Sequence, residues 1–342
     1  MHYLSVIAIF KNETMNLKIW LDHYIWQGVE HFYLIDNDSD DNPMNILKEY
    51  IDNGYVTYHF GPEKHIQDSH IRFIFDKYEL KLRTYWLLYC DLDEFAFGIN
   101  QKLVKCLNQL EGYNVIYMNW LMFGSNGYIA HPYDIRTALT YREPNFHELT
   151  KYIIKTDFLT DSSQINIHNV SYNDQRYIYN STSDNLLRMN HYPIQSEEFF
   201  KKVKMSRGDA TSSNNVRDMN YFNSYNKNTD FRDEILKNLI VNPSIKYNEE
   251  FINIYKDLDL YYYKTFNKDF NNYSLLDMKI HYKFNNENEN RIYNQESFEK
   301  HYPELNLEVY YRENKDLEKY DNMLLRIHYH TYGKNESYRK IN

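Results

Sequence analysis

Residues 86–95 read Trp86-Leu87-Leu88-Tyr89-Cys90-Asp91-Leu92-Asp93-Glu94-Phe95. An apolar stretch of strand length stops at two carboxylates one residue apart, with a third behind them. A strand that delivers Asp-x-Asp at its carboxyl end sets hard oxygen ligands at the rim of a sheet. A divalent cation bridging a diphosphate would sit there. Mg²⁺ or Mn²⁺ is satisfied by one or two carboxylates plus phosphate oxygens and water, so no complete protein cage is needed. A loop bend must bring Asp91 and Asp93 onto one ion. Read alone, the same run also fits a turn that caps a helix, so its meaning rests on its surroundings.

Upstream, Leu4 to Phe10 is a continuous apolar run of buried-strand type. Leu17, Trp20, Leu21, Tyr24 and Ile25 then fall on one helical face, and Gly28 is placed to end that helix. His31 to Ile35 predicts a second strand, closed by the acidic run Asp36 to Asp41. Asn42 and Pro43 are expected to open a helix to about Ile51. Tyr55 to Phe60 predicts a third strand, and Ile71, Ile74, Phe75, Tyr78 and Leu82 another helix. Trp86 to Cys90 is the fourth strand. Alternating strands and helices predict an α/β fold with a mostly parallel sheet covered on both faces. Ligands of such sheets bind at the carboxyl ends of strands. Three polar clusters fall at those ends: Asn12-Glu13, Asp36 to Asp41, and Asp91 to Glu94. Their convergence on one edge is a consequence of the predicted topology.

Downstream, Val115 to Phe123 reads as a further strand leading into Gly124-Ser125-Asn126-Gly127. Residues 212–230 are rich in Asn, Ser and Asp with little periodicity, and a linker is expected over about 212–245. The tail holds an internal repeat. The segment from Glu249 matches that from Glu296 at a constant offset, through Phe251/Phe298, Tyr263/Tyr310 and Ile280-His281-Tyr282/Ile327-His328-Tyr329. Apolar anchors mixed with Asn and Asp predict two or three short helices per copy. The expected organisation is a catalytic domain over 1–240 and a helical repeat module over 246–342.

Composition narrows the function. The chain has 342 residues, 25% charged and 42% hydrophobic, as expected of a soluble globular protein. Its 39 basic and 48 acidic residues give a net charge of −9 without a Lys/Arg block, which argues against a nucleic-acid partner. Two cysteines, Cys90 and Cys106, cannot by themselves make a disulfide framework or a zinc site and suit either a reducing, cytoplasmic setting or simply buried thiols. The opening apolar run is too short to span a bilayer and lacks the charged flank of a signal peptide. The 36 tyrosines, with abundant Asn, Lys and Ile, read as compositional bias.

Two further positions carry chemistry. Asp36, directly at a strand end, suits ribose hydroxyls or a base N–H, while Asp40, Asp41 and Asn42 fit a solvated loop that caps a helix. His191 can complete a metal shell, and the basic residues after it, Lys202, Lys204 and Arg207 among them, can neutralise a leaving diphosphate. Taken by itself, that last segment is also an ordinary surface helix.

Together these stretches resemble GT-A-fold glycosyltransferases of the family 2 superfamily, closest to the family 92-like group with its Asp-x-Asp-Glu-Phe signature. The resembling segments are AIFKNE, WLDHYIWQGVEHFYLIDNDSDD, LLYCDLDEF, MNWLMFGSNG and NHYPIQSEEFFKKVKMSRG, within about residues 1–210. The resemblance implies a GT-A fold and transfer of a hexose from a nucleotide donor, usually a UDP-sugar, to a glycan or glycoconjugate hydroxyl, with Mn²⁺ or Mg²⁺ on the diphosphate. It implies metal ligation by Asp91, Asp93 and His191. Donor contacts would come from Asn12, Glu13, Asp36, Asp91, Trp120, Gly124, Ser125, Lys202 and Arg207. The repeats resemble modules appended to some surface-polysaccharide glycosyltransferases and would serve oligomerisation, acceptor contact or only the catalytic domain. The catalytic base is open among Glu94, Asp134, Asp157 and Asp161, with Glu94 nearest the metal motif.

Two other functions compete. A sugar nucleotidyltransferase would show a Gly-rich basic loop after the first strand, where this chain has Lys11-Asn12-Glu13-Thr14. A non-catalytic glycan-binding or scaffold protein on a degenerate domain would have no need of an intact Asp91 and Asp93.

Overall fold

Strand β1 (His2–Phe10) is apolar and buried because parallel neighbours flank it on both sides, β2 (His31–Asp36) and β4 (Thr84–Tyr89). Strand β3 (Val56–Phe60) extends the parallel array beyond β2. The computed structural model describes residues 1–171, 175–181, 186–207, 216–227, 229–241, 263, 265–267, 291–317, 320, 322–337 and 339–341.

Helix α1 (Thr14–Trp26) returns β1 to β2 and buries Leu17, Trp20, Leu21 and Tyr24, the stripe predicted from their spacing. Gly28 ends it with φ +94°, and an added Cβ would lie 2.6 Å from Val104, so both conformation and space demand glycine. Helix α2 (Met44–Asp52) begins after Pro43 without a side-chain cap. Asn42 does not cap it as expected: its backbone is left-handed, φ +57°. Helix α3 (Gln67–Lys77) buries Ile71, Ile74 and Phe75 against one sheet face, and the short α4 (Leu80–Arg83) leads into β4.

Past β4 the chain turns at Asp91–Asp93 and enters β5 (Glu94–Gly98), a strand the sequence pattern does not announce. Helix α5 (Leu103–Gln109) and β6 (Val115–Met122) follow, then the short α6 (Ile135–Ala138), β7 (Tyr141–Arg142) and β8 (Thr150–Lys155). Strands β9 (Ile178–Asn180) and β10 (Leu187–His191) complete the main sheet, ordered β3-β2-β1-β4-β8-β6-β10-β5 with β9 beside the start of β6. The expected α/β class and GT-A-type architecture are present, with antiparallel pairings at β4–β8, β8–β6 and β10–β5.

Those antiparallel pairings decide where the site can form. Two successive reversals leave β6 running with β1, and β10 is parallel to β6. The carboxyl ends of β1, β2, β4, β6 and β10 therefore share one edge with the amino ends of β8 and β5. Register agrees: Phe10 pairs with Asp36, Ile7 with Tyr89, Tyr89 with Tyr152 and Glu94 with His191.

The chain divides into two compact units, residues 2–247 and 248–342. The described part of the expected linker is structured within the first unit. It carries α8 (Met219–Asn226), β11 (Phe231–Arg232), paired with β7, and α9 (Ile235–Val241), after α7 (Glu197–Phe199) and its π-helical continuation Phe200–Lys204. A few apolar anchors suffice in this polar stretch: Phe222 joins Ile194 and Phe200, and Leu236 and Leu239 are buried. Asp233 pairs with Arg142 at 2.7 Å and Arg188 at 3.0 Å.

In the second unit most of the first repeat copy lies outside the described residues. Among its described residues the second copy has the α-helices α10 (Gln295–His301), α11 (Leu307–Glu313) and α12 (Asn322–Thr331) around Phe298, Tyr302, Tyr310, Leu325 and Tyr329. Among the described residues no helix is long and apolar enough to cross a membrane.

Candidate functional site

The loops after β1 and β2 are tied together before they meet anything else. Asn12, with φ +56°, donates its backbone N–H to Ser39 Oγ and accepts the Asp40 N–H on its side chain at 2.8 Å. Asp41 Oδ2 takes both the N–H and the hydroxyl of Thr14, serving the amino end of α1 from the neighbouring loop. Asp36 sits at its strand end as expected, but its oxygens accept the Ser39 N–H and the Tyr58 hydroxyl, each at 2.9 Å. It is buried, and the cavity beside it is lined by Asn37, Asp38 and Asp40 instead.

The turn after β4 is held from behind. Trp20 Nε1 donates to the carbonyls of Asp91 and Glu94 at 3.1 Å, and the Tyr24 hydroxyl donates to Glu94 O at 3.0 Å. Glu94 Oε2 accepts the Asp91 N–H at 2.8 Å. Burial pushes the Glu94 carboxyl well above the usual range, and the Lys151 charge offsets this only in part. Glu94 is 0% exposed and does not line the cavity. This geometry makes it a brace for the turn and not a group that meets an acceptor hydroxyl. The other candidate bases, Asp134, Asp157 and Asp161, also lie off the cavity wall, and Asp134 and Asp161 cap short helices.

The turn sends its two aspartates to different partners. Asp91 Oδ1 accepts from Gln67 Nε2 at 3.1 Å, and Asp91 Oδ2 from Lys151 Nζ at 3.0 Å. Asp93 Oδ2 accepts from Lys204 Nζ at 2.7 Å, and Asp93 Oδ1 lies 3.6 Å from His191 Nε2. Burial works against the charge on Asp93, but the Lys204 ammonium and the His191 ring outweigh it and hold the carboxyl well below its usual range. Burial likewise opposes the Lys151 charge, and Asp91 and Glu94 more than restore it, keeping the ammonium protonated.

A hard cation has a matching donor set here. One oxygen each of Asp93 and Glu94 and a ring nitrogen of His191 lie within 4.8 Å of one another. Glu94 Oε1 and His191 Nδ1 are buried without a partner. Two carboxylates and an imidazole, with coordination left for phosphate oxygens and water, suit Mn²⁺ or Mg²⁺. Asp91, the other ligand expected from the sequence, lines the same cavity, with its oxygens accepting from Gln67 and Lys151.

These elements open on one cavity of about 1050 Å³, lined among others by Asn12, Glu13, Asp91, Asp93, Trp120, His168, His191, Lys204 and Arg207. Trp120 packs against His191 with the two rings tilted and their centres 4.3 Å apart. Glu13 holds both basic residues: Lys204 Nζ is 3.4 Å from Glu13 Oε1, and the Arg207 guanidinium bonds the same carboxylate and the Lys11 carbonyl.

Besides Asp36, three expected donor contacts lie off the cavity wall. Lys202 is solvent-exposed and pairs with Glu198 at 2.6 Å. Lys204 reaches the cavity because it shares the buried stripe of Phe200 and Val203. Gly124 and Ser125 close against the end of α8: an added Cβ on Gly124 would lie 2.6 Å from Thr229, and Ser125 donates its N–H to Asn226 at 2.9 Å. Sequence reasoning also missed Lys151 and Gln67. The signal for Lys151 was a charge opening the otherwise apolar run Lys151-Tyr152-Ile153-Ile154; Gln67 carried none.

Comparison with known proteins identifies the family. The family model for glycosyltransferase family 92 matches residues 3–239. A family 92 protein of Arabidopsis thaliana is 25% identical over 224 residues, covering 61% of this chain and 38% of that protein. One from Ricinus communis is 26% identical over 235 residues, covering 64% and 39%. The chain thus spans about two-fifths of the length of these relatives. The crystal structure of S. aureus TarS shows a looser likeness, 16% identity and a TM-score of 0.38 over 74% of this chain and 78% of that one. With well over half of its residues inside the family model, the chain belongs to glycosyltransferase family 92.

Proposed function

We propose that this protein transfers a hexose from a UDP-sugar to a hydroxyl of a glycan or glycoconjugate, with Mn²⁺ or Mg²⁺ on the donor diphosphate. The observation that carries this is the meeting, on one sheet edge, of the aspartate turn, the β1 loop and two cations in a cavity of about 1050 Å³. That size is just above the ~300–1,000 Å³ range of small-ligand clefts. Asp93, Glu94 and His191 would hold the cation, which when bound supplies charge for the diphosphate as it leaves. Lys204 and Arg207 line the same wall and can neutralise that diphosphate. Glu13 holds both in place, and Trp120 offers an aromatic wall for a sugar ring.

The test is UDP release from a panel of UDP-sugars with Mn²⁺, for the natural chain and Asp93→Asn. Release with one donor, lost in Asp93→Asn while the fold is kept, is the expected result. No turnover and no UDP binding across the panel would refute the proposal.

A further inference from the structure

Both aspartates of the turn carry an ammonium group, and the two groups differ in freedom. Lys204 belongs to the cavity wall. Lys151 does not. Its side chain is 0% exposed, with Nζ 3.0 Å from Asp91 Oδ2, 3.8 Å from Glu94 Oε2 and 4.5 Å from the centre of the Tyr89 ring. It sits near the amino end of β8, where Lys151 pairs with Met118 and the next residue, Tyr152, pairs with Tyr89. The side chain is enclosed within the sheet edge and does not line the cavity. A positive charge therefore stands beside Glu94, one of the groups that would hold a cation, and on Asp91 in the same turn. Its repulsion of a divalent ion acts across protein and is little screened by salt.

We propose that Lys151 is a positioning residue that holds down the affinity of the aspartate turn for a divalent cation, so that the cation is retained only together with the donor diphosphate. The diphosphate adds negative charge beyond that of Asp91 and Glu94, which are already engaged by the lysine, and so offsets its repulsion of the cation. The other charges around Lys151 leave this balance in place: Asp91 and Glu94 touch it, while Lys204 neutralises Asp93 on the far side of the turn. The inference rests on the sugar-transfer reading above. A merely structural role makes the opposite prediction, because losing a buried ion pair would loosen the turn and weaken cation binding.

The experiment measures Mn²⁺ binding to the full chain, from the free-Mn²⁺ electron paramagnetic resonance signal, with and without UDP. Lys151→Gln keeps a donor to Asp91 and removes the charge; Lys151→Arg keeps the charge. Lys151→Gln is expected to bind Mn²⁺ without UDP at least ten-fold more tightly than the natural chain, with a smaller further gain from UDP. Lys151→Arg is expected to match the natural chain. Gln67→Lys, at a half-buried position on the other side of Asp91, adds a second ammonium and is expected to weaken donor-free binding, a test that does not depend on Lys151→Gln folding. If the natural chain binds Mn²⁺ with UDP but Lys151→Gln shows unchanged or weaker donor-free binding, or Gln67→Lys no weakening, the proposal for Lys151 fails and the transfer reading stands. If the natural chain holds no Mn²⁺ even with UDP, both fall.

Discussion

Tyr24→Phe removes one oxygen atom from behind the aspartate turn and tests whether that turn is held by α1. The ring is fully buried, and phenylalanine fills nearly the same space, so the cavity contribution is small. What is lost is polar. The hydroxyl accepts the Ala96 N–H at 3.0 Å and a weak bond from Cys90 Sγ at 3.3 Å, and donates to Glu94 O at 3.0 Å. Glu94 O keeps a second donor in Trp20 Nε1. Two ordinary hydrogen bonds at about 1 kcal/mol each, with a buried N–H deprived of its side-chain acceptor, put the loss at about 2–3 kcal/mol. The assay is urea denaturation followed by tryptophan fluorescence and extrapolated linearly to water. All four tryptophans, Trp20, Trp26, Trp86 and Trp120, lie in the unit of residues 2–247, so the signal reports on that unit alone. A loss below about 0.5 kcal/mol, less than one net hydrogen bond, would refute the reasoning. Adding Trp20→Phe sharpens it. The double variant leaves Glu94 O without either side-chain donor, so its loss should exceed the sum of the single losses.

Two other outcomes follow from the same geometry. Lys204→Met should weaken UDP binding at least ten-fold, about 1.4 kcal/mol, whereas Lys202→Met should leave it unchanged because that side chain is exposed; equal effects in calorimetric titration would contradict the placement of the two lysines. His2 is held down to about 3 by burial, with the charges of His31 and Arg83 adding to it. The unfolded chain therefore takes up a proton near pH 6.5 that the folded chain refuses, and the contribution of His2 is complete above that pH and lost as pH falls toward 3. His2→Phe should accordingly lose less stability between pH 7 and 5 than the natural chain, and identical slopes in urea titrations at several pH values would exclude this role.

Much of the fold was legible because a parallel strand buried on both faces must be apolar along its whole length. Leu4 to Phe10, His31 to Ile35 and Trp86 to Cys90 announce themselves in that way, as does the stripe of α1. The strand Glu94–Gly98 stayed hidden because it begins inside the polar motif and is only five residues long. The segment after residue 215 was misread for a related reason: few anchors, Phe222, Leu236 and Leu239, hold a stretch whose composition is that of a linker. Within the site, residue type outran residue position. A basic residue near the diphosphate was predictable, but choosing Lys204 over Lys202 needed the phase of the helix that carries both.

By itself the sequence determined that three polar clusters would end parallel strands on one edge, since a common strand direction follows from alternating βα units. It also determined the chemistry of that edge, carboxylates with basic residues to follow. Only the tertiary structure decided which carboxylates face which charges. Two antiparallel reversals bring Lys151 and His191 to the same edge from residues 60 and 100 positions past Asp91. One tight turn then parts Asp91, given to Lys151 and Gln67, from Asp93, given to Lys204 and His191. Such pairings depend on ångström distances between distant segments, and local patterns of polarity carry no record of them.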